Sequence, residues 1–361
     1  MNALKSLPCL ILTLGLTHGL LASCQGSGGT RDLVVPEGTA ATNALLKRAD
    51  EEFTAKSYQD ALETYTELHS AARSKGLKKV AAEAAAQIAT CYAVMGQSGE
   101  GDPWLEKAEA DASEQDVGAY TRILLAQGVR SWRAFEVDRA RGMFIYLYNY
   151  SLNQNRTPRA VQAAQMAALA SRGQEQLDWM MRSIEGARTT GDPALEAPLW
   201  TEYGVMFDQR ERFDEALDAF ANARRLTAQA SLPRLVRERT DWQYAHGLRM
   251  VGRFDDARNL LEETNAIVHS NYIERPSPQS AELLGRVLAE IGEVDAAEGR
   301  FDRAKERMLA AREKLLEAGS VQGAQIFAKT LEKRIENLGA PAPIRKIPPK
   351  QRPKKAGNGR G

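Results

Sequence analysis

Cysteine and histidine are scarce in this sequence, with 3 and 4 among 361 residues, and there is almost no net charge. Beyond the first two dozen residues the histidines are His69, His246 and His269. None stands at a metal-ligand spacing from a cysteine or glutamate, so the sequence offers no zinc site. A total of 48 bases against 47 acids excludes a nucleic-acid binder held by bulk charge. No GxxxxGK(S/T) phosphate loop, GxSxG elbow or HExxH motif occurs, and "GQSGEG" has the wrong glycine spacing for a dinucleotide turn and reads as a loop. The acidic doublets Asp255-Asp256, Glu262-Glu263 and Glu51-Glu52 lie on helical stretches, where adjacent carboxylates diverge. They read as solvated surface, not as the separated-pKa pair of a glycosidase. Together these absences predict a non-enzymatic chain with no catalytic residue, metal or cofactor.

The opening stretch "MNALKSLPCLILTLGLTHGLLASCQ" starts basic at Lys5. Its apolar run from Leu7 to Leu21 is interrupted by Pro8, Thr13, Gly15, Thr17, His18 and Gly19. That run is too short and broken for a membrane span and has the layout of an export signal. Leu21-Ala22-Ser23-Cys24 resembles the lipobox of bacterial lipoproteins. The resemblance implies that residues 1–23 are a signal peptide and that Cys24 becomes an acylated N-terminus. A single acyl chain binds a bilayer marginally, and two or three hold it firmly. Gln25, standing where aspartate would retain the protein, implies an outer-membrane protein facing the periplasm. The alternative is an ordinary cleavable signal, an incidental Cys24 and a secreted or periplasmic soluble protein. The stretch 24–42, with "QGSGGT", reads as a flexible tether. Once Cys9 is removed and Cys24 acylated, Cys91 is the remaining thiol, so there is no disulfide framework. In "AAAQIATCYAVMG" it reads as a small buried filler.

What the chain has in quantity is helical periodicity. "FDEALDAFANA" sets Phe213, Ala216, Phe220 and Ala223 on one side of a helix, alternating rings with methyl groups. The stripe recurs as Tyr58-Ala61-Tyr65, Phe254-Ala257-Leu261 and Phe301-Ala304-Met308-Ala311. A small residue, Ala49, Gly204, Ala245 or Gly292, stands in the helix ahead of each. Small side chains there let a second helix come very close.

This pairing resembles the tetratricopeptide repeat. In "WTEYGVMFDQRERFDEALDAFANA", Trp200, Tyr203, Gly204, Phe207, Phe213, Ala216, Phe220 and Ala223 sit where the family wants Trp, Leu, Gly, Tyr, Tyr, Ala, Phe and Ala. Weaker units carry Gly128, Trp132, Ala140, Phe144 and Leu147; then Ala89, Tyr92 and Gly96; then Ala167, Ala168, Leu177 and Ile184. Loop chemistry separates the units at residues 96–103, 153–158, 189–193, 231–233 and 275–278. Central positions at Ala140, Met180, Ala216, Ala257 and Ala304 recur at about 36 to 47 residues, longer than the family's roughly 34. "MFIYLYNY" alternates like a strand, but Ala140, Phe144 and Leu147 keep the repeat register and make it helix.

The resemblance implies an all-α, right-handed superhelical solenoid of about seven antiparallel helix pairs over residues 43–338. The last helix, with Val321, Ile326, Phe327, Leu331 and Ile335 inward, acts as a cap. It further implies a concave groove, lined by first helices, that receives a protein or peptide. The partner-binding candidates are Arg239, Trp242, Gln243, His246, Arg249 and Met250, opposite the inward Tyr244, Ala245 and Leu248. A similar earlier set is Arg122, Leu125, Val129, Trp132 and Arg133, although Trp132 also suits packing between first helices.

From Leu338 onward there are seven bases and no acid, which leaves a body of about −7 and a tail of +7. Residues 339–361, rich in proline and lacking PxxP, are expected to be disordered. The tail is a solubilising end or a weak contact for anionic envelope polymers. The resulting expectation is a lipid-anchored envelope scaffold that binds protein. Its alternatives are a ligand-binding or regulatory component of an envelope enzyme system, and a structural spacer presenting the tail.

Overall fold

The computed structural model describes residues 38–339 apart from Lys56, Ser320 and Gln322; Cys24, the segment before it and the tail from Ala340 lie outside the described residues. Among the described residues there are fifteen helices and no strand. They are α1 (Ala40–Thr54), α2 (Tyr58–Ser74), α3 (Lys78–Val94), α4 (Ser98–Asp111), α5 (Val117–Arg133), α6 (Val137–Asn153), α7 (Thr157–Leu169) and α8 (Gly173–Thr190). The rest are α9 (Pro193–Asp208), α10 (Phe213–Gln229), α11 (Arg234–Met250), α12 (Phe254–Glu274), α13 (Pro278–Ala297), α14 (Phe301–Glu317) and α15 (Ala324–Glu336). Each packs on its neighbours in sequence, giving seven antiparallel pairs and a terminal helix. The stretch "MFIYLYNY" lies inside α6, with Phe144 and Leu147 buried and Tyr146 outside.

A recurrent turn sets the pairing. One residue after a helix takes positive φ, and the next amide donates to a carbonyl five residues back. Around Gly252 (φ 84°) Arg253 N donates to Leu248 O at 2.9 Å, and around Gly299 (φ 78°) Arg300 N donates to Asp295 O at 2.8 Å. Phe135 (φ 63°) takes the same conformation without glycine's freedom, and its ring is 84% exposed. Proline and cap residues open other helices: Asp192 accepts from Ala194 N ahead of Pro193, and Ser277 forms a capping box ahead of Pro278.

The central small residues Ala61, Ala140, Ala216, Ala257 and Ala304 are all buried, as is Met180. A methyl group added at Gly204 would stand 2.5 Å from the Phe220 ring, and one at Gly128 would stand 2.4 Å from the Phe144 ring. Ring meets glycine because neither helix can come so close over a larger side chain. The stripe fails in two places. Phe301 is 45% exposed at the start of α14, and Ile326 of the capping helix is 44% exposed, the inward face of α15 being Ala324, Ala328 and Leu331.

Residues 96–103 are not the loop their glycines suggest, since α4 begins at Ser98 and runs through Pro103. The glycine at 101 serves contact: a Cβ there would lie 3.0 Å from the Ala89 carbonyl oxygen of α3. Alanine-rich α3 is buried on nearly every side, and Cys91 within it is fully covered, burial pushing its thiol far up. No described helix is long and apolar enough to cross a membrane.

Candidate partner-binding surface

First helices of successive pairs contact one another, and charged side chains cross between them. Arg239 of α11 donates through Nη2 to Glu282 of α13 at 2.6 Å. His246 lies between Glu290 (Nδ1, 3.1 Å) and Asp208 at the end of α9 (Nε2, 3.3 Å), and Arg249 Nε reaches Glu290 at 2.5 Å. Arg334 of α15 continues the series onto Glu293. Four of the predicted partner-binding residues, Arg239, Trp242, His246 and Arg249, therefore share one face, half-buried and largely engaged with the next repeat; Gln243 and Met250 are also half-buried.

Trp242 packs partly into the apolar cluster of α11–α13, and its buried indole N–H has no acceptor among the described residues. The Arg286 guanidinium of α13 stands 5.4 Å from the Trp242 ring centre and 5.2 Å from that of Phe327 on α15. Glu282 holds Arg286 one turn away. Three consecutive first helices thus contribute ring, guanidinium and ring to one half-exposed line, a combination enriched at the energetic centres of interfaces. Sequence reasoning missed Arg286, and read Phe327 only as an inward residue of the capping helix, where it does pack against the C-terminal cluster.

The earlier set does not form such a surface. Arg122, Leu125 and Val129 are 2%, 1% and 3% exposed, so the reading of them as groove anchors is corrected. Arg122 crosses alanine-rich α3 to grip Asp50 of α1 with two hydrogen bonds of 2.8 Å. Tyr65 donates to the same carboxylate at 2.5 Å and accepts from Gln87 at 3.0 Å. Trp132 packs against this N-terminal core, as its structural reading allowed, and Arg133 beside it is half-buried.

Charge states follow from these contacts. Burial works to raise the Asp50 carboxyl, but Arg122 overrides it and holds the group below the usual range. Glu83 has weaker compensation, and burial pushes it up to about 7. Burial opposes ionisation of Glu282 and Glu290 too, yet their arginines, and His246 at Glu290, bring both down to about 2. For His246 burial favours the neutral ring, while Glu290 and Asp208 raise it to about 10.

The glutamates add stability in full above their ordinary 4.5 and lose it as pH falls toward 2; His246 adds it in full below 6.5 and loses it as pH rises toward 10. The α9–α13 network is therefore expected to be strongest between about pH 4.5 and 6.5. Melting curves across pH should show His246→Gln losing part of the alkaline decline while keeping most of the acid one, since arginines still hold both glutamates. An unchanged alkaline limb would rule out this linkage.

No protein-family model and no curated protein matches the chain. Among solved structures, it superposes on a signal-transduction ATPase with a tetratricopeptide-repeat sensor from Pyrococcus horikoshii with a TM-score of 0.61 and 11% identity, covering 82% of this chain and 44% of that one. The chain thus spans less than half of that protein. It also matches a tetratricopeptide repeat protein from Parabacteroides merdae, at TM-score 0.45 and 14% identity, over 83% of this chain and 100% of the other. Helix pairs with glycine notches and ring pegs, and the first of these superpositions, identify the fold: the chain is an all-α helical solenoid with a tetratricopeptide-repeat-like fold.

Proposed function

We propose that this chain is a non-enzymatic scaffold that binds a protein or peptide segment along its inner face, centred on α11, α13 and α15. The observation that carries the reading is the Trp242, Arg286 and Phe327 line, half-exposed and held by Glu282 from behind. The ion pairs of Arg239, His246 and Arg249 fix the spacing of the helices beneath it, so the surface is organised before a partner arrives. The Trp242 indole N–H is buried, so it is the ring that this face presents to a partner.

In this reading the chain is exported, acylated on Cys24 and held at the envelope; the tether read over residues 24–42 is cut back where α1 begins at Ala40. Capture from the parent cell with the full chain tests the binding half. Trp242→Ala with Arg286→Ala should reduce recovery of a specific protein at least about tenfold, since each anchor of this kind carries about 2 kcal/mol or more. The helical circular dichroism should be retained. Equal recovery would remove the groove from consideration. Intact-mass measurement of membrane-extracted protein, with Cys24→Ala as control, decides acylation separately.

A further inference from the structure

A cavity of about 430 Å³ opens between α10 and α11, away from the Trp242 line, and its walls include Arg224, Arg225, Arg237, Asp241 and Tyr244. Arg224 is committed: it donates to Asp241 at 2.6 Å and its guanidinium lies 5.4 Å from the Tyr244 ring centre. Among the described residues Arg225 hydrogen-bonds to the neutral Gln229 and Asn222, both at 3.4 Å, and makes no ion pair. Arg237 is exposed and makes no ion pair among the described residues. Three arginines and one aspartate leave the cavity with a surplus of two positive charges.

This surplus runs against the habit of the molecule. Elsewhere Arg122, Arg239, Arg249, Arg258 and Arg334 each meet a carboxylate on another helix. The start of α11 is also the wrong place for cations. Its first turn holds no acid, Pro233 gives it no side-chain cap, and Arg234 and Arg237 lie at the positive end of the helix dipole. Glu238 pairs with Arg234 at 3.0 Å, and Arg237 makes no ion pair of its own among the described residues.

We infer that the α10–α11 cavity binds a phosphate group carried by a small organic molecule or lipid headgroup. Arg225 and Arg237 donate to its oxygens, while Tyr244 and Ala228 face the organic part. Planar guanidiniums suit phosphate because two parallel N–H groups match two oxygens. The volume falls within the range of small-ligand sites, roughly 300–1,000 Å³. The site is independent of the proposed groove.

Calorimetric titration of the protein with phenyl phosphate, and sedimentation with phosphatidylglycerol vesicles against phosphatidylcholine vesicles, tests the proposal. Binding of phenyl phosphate in solution, weakened at least about tenfold by R225Q/R237Q and unchanged by R139Q, supports it and indicates a soluble ligand. Sedimentation with the anionic vesicles alone, lost in the same double variant, supports it with a headgroup as the source. Both substituted side chains are exposed, so the fold should persist in the variant, as circular dichroism checks. No binding to either probe, or binding that R225Q/R237Q leaves intact, overturns it.

Discussion

Phe220→Ala is expected to cost about 3–5 kcal/mol, the usual range for deleting a fully buried ring, in urea unfolding of the intact chain. The ring is 2% exposed and is clamped between two glycines on different helices. A Cβ at Gly204 of α9 would meet it at 2.5 Å, and one at Gly247 of α11 would meet it at 3.1 Å. The same side chain therefore locks its own pair and the next one. Gly204→Ala should cost about 1–3 kcal/mol by overpacking, even though alanine favours the helix by roughly 1 kcal/mol. The ring cannot retreat, because the glycine of the following repeat stands behind it. G204A/F220L should consequently cost less than the sum of the two single changes, since a smaller peg accepts the filled notch. Strict additivity would mean that ring and glycine do not bear on each other.

That peg and notch were legible because they are written in small and aromatic residues at helical spacing. Gly204 ahead of Phe220 and Gly128 ahead of Phe144 are readable without coordinates. The helix pairs follow from them, and the proposed binding face of α11 follows as the side left over. The charged contacts were less legible, since hydrophobic periodicity treats every polar residue as outward. Arg122 looked like an anchor on an amphipathic helix, but the α3 beneath it is built of alanine. A helix that thin lets one long side chain pass over it and join α5 to α1. A usable signal did exist. Arg239 and Glu282, Gln165 and Glu202, and Glu293 and Arg334 are partners separated by 43, 37 and 41 residues, about one repeat. Asp50 and Arg122 are 72 apart, about two repeats. Searching for complementary polar residues at the repeat interval would have found the ladder. The same search misses Arg286 with Phe327, because that contact is between a cation and a ring. Residues 96–103 misled for a related reason: the glycine at 101 marks a close helix contact, where a turn was the simpler reading.

Arg122→Met should be the most damaging single change to the N-terminal half, at about 3–5 kcal/mol, the range for removing one partner of a buried ion pair. Methionine fills much of the volume, so the loss is electrostatic: Asp50 keeps Tyr65 but loses both guanidinium bonds, and Glu83 loses its nearest positive charge. In the parent chain Arg122 holds Asp50 below its ordinary range against burial; without it burial, the largest influence, is opposed only by the Tyr65 hydrogen bond and the more distant Arg159, and the carboxyl is expected to titrate above its unfolded value. The folded variant then binds more protons than the unfolded chain. Its deficit should be full at alkaline pH and shrink as pH falls through the raised value toward the ordinary carboxylate range. Denaturant midpoints of the parent and R122M at pH 5 and pH 8 measure this directly, the gap being wider at pH 8. Adding Asp50→Asn removes the stranded charge and should recover a large part of the loss, because a buried pair is costlier to break than to replace whole. A deficit below about 1 kcal/mol, or one equal at both pH values, would mean that water reaches Asp50 and that α1 is not fastened to α5 by this contact.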